Sequence, residues 1–397
     1  MSVHITERHL GLAERLVQKA HARGGLAPLD VERFWADQDR AARDPWAVEC
    51  PQVPLGIGMS QECVFAELGV PEDWYRLSHD DEFRVGLARR YNDAAERIVG
   101  KRLLGERKSD PERQWPPVKA LFDIFEARNV WHNESYWIQQ VAHNEEELKA
   151  LLDRVEKRLD HLREFLLPPN WAAEKARLMA AGGAVPLYRA QRGPVTFAMS
   201  IYGVENLIYL LADHPELAGR FRDLILRAML ERARILDDEA GFVPGAAPRG
   251  FYFLDDNCAM LNAEMYEFFG YPILKAVFER CSPGPADLRG QHSDSDMAQH
   301  LPVLSRLGMT NVNLGPNLTV SQIREHLPRA VIFGQLAPFT FSRHEEVNMV
   351  AEFLRDFEMA REKRGLMFAT AGSLNNGSRL SGMRLIMAAI QEHGRYG

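Results

Sequence analysis

The sequence predicts an α/β protein, a (β/α)8 barrel with a helical N-terminal extension, and three observations carry that expectation. From about residue 185, short apolar runs of strand character alternate six times with amphipathic helical stretches. Two further strand candidates upstream bring the number to eight, and strands that alternate with helices pair in parallel and can close on themselves. The 397 residues are 46% hydrophobic and 26% charged, enough to bury a large core without disulfides or metals and inconsistent with disorder or a coiled-coil array. Length alone, at roughly 150 residues per domain, would also allow two or three domains.

The elements follow in order. Leu10, Ala13, Leu16, Val17 and Ala20 recur at helical spacing, Val31, Phe34 and Trp35 mark a second short helix, and Asp44, Pro45 and Pro51 break the pattern. Residues 1–50 therefore read as the extension and 51–397 as the barrel. The first strand candidate is 53–58. The second, 135–141, precedes a helix capped by Asn144 and Glu147 with Leu148, Leu151, Leu152, Val155 and Leu159 on one face. The third strand, 185–190, leads to a long helix whose start carries Asp213, Pro215 and Glu216, a capping box with proline in the first turn, and whose core face holds Leu217, Phe221, Leu224 and Ala228. Strands at 251–254, 286–291, 311–314, 330–334 and 366–369 complete the count. Thr319 with Gln322 and Ser342 with Glu345 are expected to cap two of the helices between them. An open doubly wound sheet is the competing architecture, but it favours a glycine-rich first turn, and Gly56-Ile57-Gly58 is only a fragment of one.

Composition also bounds function. Lys and Arg total 48 against 55 Asp and Glu, a net charge of −7, so there is no basic stripe to displace counterions from nucleic acid. The basic run 100–108 is interrupted by Glu106 and reads as solvated surface. Four cysteines, Cys50, Cys63, Cys258 and Cys281, with no C-x-x-C pair point to a reducing compartment. The N-terminus, Met1 to Arg8, lacks a basic region followed by an apolar run, and no stretch approaches the ~20 apolar residues of a membrane span. The expectation is a soluble, cytoplasmic protein.

In a barrel the chemistry sits where strands end at their C-terminal side. Those positions hold Ser60, Gln61, Glu62 and Cys63 after the first strand, Gln191 and Arg192 after the third, and Asp255, Asp256 and Asn257 after the fourth. His292, Asp294 and Asp296 follow the fifth, Asn313 and Asn317 the sixth, Gln335 the seventh, and Ser373, Asn375 and Asn376 the eighth. Some of these will cap the next helix, and Asp296 is assigned that role. His292 and Asp294, two apart, point the same way and can chelate one cation or hydrogen-bond to each other. Asp255 and Asp256 point to opposite faces, so one can enter the barrel as a general acid or base, while a helix-dipole or turn role competes evenly. Cys63 and Cys258 lie near strand ends, where a lone cysteine is more often a small buried residue than a nucleophile. The aromatic run 131–137 reads as core and loop packing, and His300, His326 and His344 as helix-surface residues.

The stretch Gly193-Pro194-Val195-Thr196-Phe197-Ala198, with Gly203-Val204-Glu205-Asn206 and Asp213-His214-Pro215-Glu216, resembles the uroporphyrinogen decarboxylase superfamily. So do Asp255-Asp256 followed by Met265-Tyr266-Glu267-Phe268-Phe269 and Tyr271-Pro272, Phe333-Gly334-Gln335-Leu336, and Gly372-Ser373-Leu374-Asn375-Asn376. The resemblance covers roughly residues 50–397 and implies a TIM barrel, monomeric or homodimeric. The decarboxylase branch carries Arg-Gln-Ala-Gly-Arg-Tyr after its first strand, and here that region reads Gly58-Met59-Ser60-Gln61-Glu62-Cys63, without arginine. The methyltransferase branch, which serves corrinoid proteins and thiols such as coenzyme M, binds zinc through His-x-Cys and a later Cys. His292 falls on its histidine, Asp294 on its first cysteine and Ser373 near its second. With both thiolates replaced, Fe, Mn and Co join Zn as candidate metals. The resemblance thus implies a metal-assisted enzyme nearest the methyltransferase branch, with a corrinoid protein as the partner it would bring. His292, Asp294 and Ser373 would be metal ligands, with Asp255, Asp256 or Cys63 completing the shell or acting in catalysis. Gln61, Arg192, Asn313, Gln335 and Asn375 would bind substrate. A metal-independent decarboxylase or lyase using Asp255 or Asp256, and a non-catalytic binding protein, are the alternatives.

Overall fold

The computed structural model describes residues 4–396, so Met1 to Val3 of the N-terminal reading lie outside the described residues. Its strands are β1 (Asn129–His132), β2 (Ser135–Ile138), β3 (Ala190–Arg192), β4 (Phe251–Leu254), β5 (Arg289–Ser293), β6 (Asn311–Leu314), β7 (Val331–Leu336) and β8 (Leu366–Thr370). β3–β4–β5 and β6–β7–β8 pair in chain order in parallel ladders, and β1 and β2 form a separate antiparallel pair. The protein is therefore α/β with a parallel sheet. Six of the eight expected strands make ladders in it. No single helix among the described residues is long and apolar enough to cross a membrane.

Contacts group the chain into two units. One runs up to Lys108 and takes in Ser293–Leu301 and everything from Asn311 onward. Its first helix, Glu7–His21, is capped by Thr6 and buries Ala13, Leu16, Val17 and Ala20, packing on the helix Glu346–Ala360. Asp30 caps the second, Val31–Ala41. The expected first strand, 53–58, makes only one bridge, Leu55 to Phe368 of β8. Pro51 and Pro54 offer no N–H to a ladder, and the Gln38 side-chain amide takes both backbone groups of Leu55, at 2.8 Å each. Gly56 nonetheless lies so close to β8 that a Cβ there would fall 2.8 Å from Met367 Cγ. The Thr319–Gln322 capping box forms. The one expected at Ser342 and Glu345 does not, because Ser342 ends the short helix Pro338–Ser342 and the next helix starts at Glu346 without a side-chain cap.

The other unit comprises Ser109–His292 and Pro302–Thr310. Here the expected second strand is β2, one arm of a hairpin closed by Asn133 and Glu134, both at positive φ, as a two-residue turn requires. Asn144 caps the helix Glu145–Leu159 through Glu147 N, and all five residues assigned to its face are buried. The third strand begins later than expected, at Ala190, beyond the proline in 185–190. The box assigned to Asp213 and Glu216 is absent. Asp213 ends the helix Val204–Asp213, and Pro215 opens the helix Pro215–Glu239 after His214, with no side-chain cap. β4 pairs with β3 on one side and β5 on the other, placing Leu254 beside both Arg192 and His292. That register brings the strand exits, and the side chains just beyond them, to one level.

Candidate functional site

At the exit of β4 the alternation of the strand continues one residue further. Leu254 is exposed, Asp255 is fully buried and Asp256 is partly exposed. The Asp255 carboxylate turns toward the start of the helix Pro194–Tyr202, where its Oδ1 accepts from Thr196 N at 2.8 Å. It thus acts as an N-cap donated from a distant strand, and it does so where Gly193 leaves room. A Cβ on Gly193 would fall 2.1 Å from the Asp255 Cβ. The Thr196 hydroxyl in turn accepts from Asn257 N at 3.0 Å, and Cys258 Sγ donates to Asp255 O at 2.7 Å. Among the described residues Asp255 Oδ2 has no hydrogen-bond partner, and burial raises the carboxyl to about 6. Of the two readings weighed for the aspartate pair, the helix-dipole role describes Asp255.

Asp256 faces the other way. With Trp137, Ile138, Arg192, Thr196, Met199, Ser200, Leu254 and Asn257 it lines a cavity of about 680 Å³. Arg192, at the end of β3, is half-buried, and its Nη1 donates to Ser200 Oγ at 3.1 Å. Burial lowers the pKa of the guanidinium, and the Asp256 charge partly opposes that. His292, near the end of β5, holds its Nε2 4.0 Å from Asp256 Oδ1, with 15% of its side chain exposed against 41% for the aspartate. Asp294 stands two residues further along the chain, in the other unit. An imidazole nitrogen and two carboxylates are borderline-to-hard donors, suited to Zn, Fe, Mn or Co rather than to a thiolate-preferring ion. Bonds of ~2.0–2.2 Å to such an ion would need only a small contraction of the His292–Asp256 pair.

The remaining expected site residues divide by what holds them. Cys63 is fully buried at the start of the helix Val64–Leu68, and burial raises its thiol above the ordinary range, the environment of an inert cysteine. Gln61 opens the 3-10 turn before it. Asn313 donates to Phe333 O and Thr370 O, tying β6 to the two strands after it. Gln335 is buried and donates to Gly315 O and Leu318 O. Ser373 is exposed, directly after Gly372, whose Cβ would fall 2.9 Å from Asp294 Oδ1. The Asn375 carbonyl accepts from Ser378 N and Oγ. Asp296 accepts from Ala298 N at 3.0 Å, but the N-cap of the turn Ala298–His300 is Met297, without a side-chain cap, so the capping role assigned to Asp296 is not filled. Two expectations about histidines fail. His300 is fully buried rather than on the surface, and His344 lies between helices at φ 57° rather than within one.

Sequence reasoning missed the cavity's partners of Arg192: Ser200, Thr196, Met199 and Trp137. Thr196 and Ser200 stand four apart on one helix, so the spacing was visible, but nothing local marked that face as lining a site. Trp137 was assigned to packing, and 52% of it is exposed on the hairpin.

Comparison with known proteins agrees with this architecture. The family described as uroporphyrinogen decarboxylase (URO-D) matches residues 141–393, more than half of the chain, and leaves out the stretch from residue 50 to 140 that the resemblance had included. No curated protein matches. Among solved structures, a methyltransferase from Methanosarcina mazei is similar with a TM-score of 0.52 and 14% identity, over 87% of this chain and 95% of that one. At that identity the likeness concerns the fold.

Proposed function

The chain belongs to the uroporphyrinogen decarboxylase family, and from that premise we propose that it is a metal-assisted enzyme of the methyltransferase kind, acting on a small organic molecule in the cavity beside Arg192 and Asp256. The proposal includes closure of the parallel sheet as the family's (β/α)8 barrel, with the segment at Leu55 in the place of the first strand, and a corrinoid protein as methyl donor. Family membership and the methyltransferase fold neighbour support both.

The observation that carries the reading is the approach of His292 Nε2 to Asp256 Oδ1 within one unit, with Asp294 two residues along the chain from the histidine. His292 would offer its Nε2, and the two carboxylates would balance a divalent charge. An ion held there would supply Lewis acidity toward a substrate oxygen or sulfur. Asp256 lines the cavity as well as facing His292, so the same carboxylate would meet ion and substrate. A metal-independent decarboxylase built on Asp255 has less support, because that carboxylate is fully buried and engaged at a helix start.

Metal analysis of protein purified without chelators tests the proposal. About one divalent ion per chain is expected, lost in His292→Ala and Asp294→Ala, and retained in Asp294→Cys with preference shifted toward zinc. A wild-type protein that takes up no stoichiometric Zn, Fe, Mn or Co overturns it, and a metal-replete Asp294→Asn overturns the ligand assignment.

A further inference from the structure

We propose that Arg192 is the carboxylate-binding residue of the cavity and that the substrate is a small monocarboxylic acid with an apolar body. This rests on the reading of that cavity as the substrate chamber.

The argument starts from what the guanidinium lacks. Elsewhere in this chain the buried Arg324 and the half-buried Arg289 spend their donors on the protein. Arg324 bonds the carbonyls of Leu327, Pro328, Ala330, Arg364 and Gly365, and Arg289 those of Ser282 and Leu307. Arg192 has one hydrogen bond, to a neutral hydroxyl. That hydroxyl gives its own proton to Thr196 O at 2.7 Å, so it serves Arg192 purely as an acceptor. Among the described residues no carboxylate comes within ion-pairing distance of Arg192, and Asp256 acts on it only at longer range. A guanidinium carries five N–H donors in a planar fork, so most of its capacity remains for a planar two-oxygen acceptor. Removing such a cation from water is costly unless an anion accompanies it.

The surroundings narrow the anion. Trp137, Ile138, Met199 and Leu254 give the cavity apolar walls, and its volume of about 680 Å³ suits a small organic ligand rather than a bare ion. A phosphate would look for a second set of donors, and the helix start beside Arg192 is the natural one. That start is already taken. Pro194 has no N–H, and Thr196 N is given to Asp255. Arg192 is the one cationic side chain among the lining residues and Asp256 lines the same cavity, so a single negative charge matches these side chains better than two.

Calorimetric binding of benzoate and phenylacetate, each against its amide and both against phenyl phosphate, tests this on the purified protein. At least one carboxylate should bind about tenfold or more tightly than its amide, and phenyl phosphate no more tightly than that carboxylate. Arg192→Gln should cost the carboxylate about ten- to hundredfold and abolish its advantage over the amide. Arg192→Lys, which keeps the charge without the fork, should fall between, and guards against a folding defect in the glutamine variant. His292→Ala should lose metal and keep the carboxylate preference, which separates this inference from the metal proposal. Equal affinity for acid and amide in the wild type, a preference that survives Arg192→Gln, or tighter binding of phenyl phosphate overturns it.

Discussion

Replacing Asp255 by alanine removes an N-cap that comes from another strand. The carboxylate draws on the N–H groups of Val195 and Thr196 at the start of the helix Pro194–Tyr202, and the Thr196 bond is 2.8 Å long. Loss of a side-chain cap costs about 1 kcal/mol, and leaving a buried N–H without a partner about 1–3 kcal/mol. The two figures overlap, since the cap is what satisfies the N–H, so about 2–3 kcal/mol is expected for Asp255→Ala. Asparagine keeps the accepting oxygen and sheds a charge that burial penalises, so Asp255→Asn should stay within about 1 kcal/mol of wild type. If the surrounding unit melts cooperatively, the alanine variant should melt roughly 5–10 °C lower and the asparagine variant near the parent. Thermal melts with urea titration give both numbers. An alanine variant that melts with wild type, or an asparagine variant that falls as far as alanine, would refute the capping role.

Two further outcomes test the same structure. Gly193→Ala adds a Cβ 2.1 Å from the Asp255 Cβ at an ordinary φ of −60°, so its cost is steric alone, about 2–3 kcal/mol by thermal melt; wild-type stability would mean that strand exit and helix start can part. Glu126 is held at about 2 by hydrogen bonds from Arg154 and then Arg158, so between about pH 2 and 4.5 the unfolded chain binds more protons and stability rises with pH. After discounting for exposure of the pair, Glu126→Gln should cost about 1 kcal/mol at pH 7 and progressively less as pH falls through that window, and a pH-independent difference would contradict the ion-pair account.

What the sequence could and could not show follows the range of the interactions involved. The strands at 251–254 and 311–314 are found where expected, because each is an apolar run bounded by its own turn signals. The Asn144 cap is three residues long and equally local. By contrast, 53–58 fails to become a ladder strand because Gln38, on another helix, occupies Leu55. Likewise 135–141 becomes a hairpin arm because its partner is the run just before it. Periodicity reports which face a residue takes and is silent on its neighbour.

The site divides along the same line. Arg192, Asp256 and His292 could be nominated because strands running in parallel deliver their exits to one level, and Leu254 does sit beside Arg192 and His292. Choosing between Asp255 and Asp256 required the Thr196 N–H, which lies 59 residues away in the chain. That bond also explains what the resemblance had detected. Gly193, Thr196 and Asp255, all within the motifs that carry it, are in contact with one another: the glycine makes room for the carboxylate, and the carboxylate caps the helix that the threonine opens. This part of the resemblance is thus a packing unit at the ends of β3 and β4. The chemistry that we propose rests on Arg192, immediately before that unit, on Asp256, immediately after it, and on Asp294, which departs from the family pattern. On that proposal the chain matches the family through this scaffold, while the residues facing the cavity would select metal and substrate.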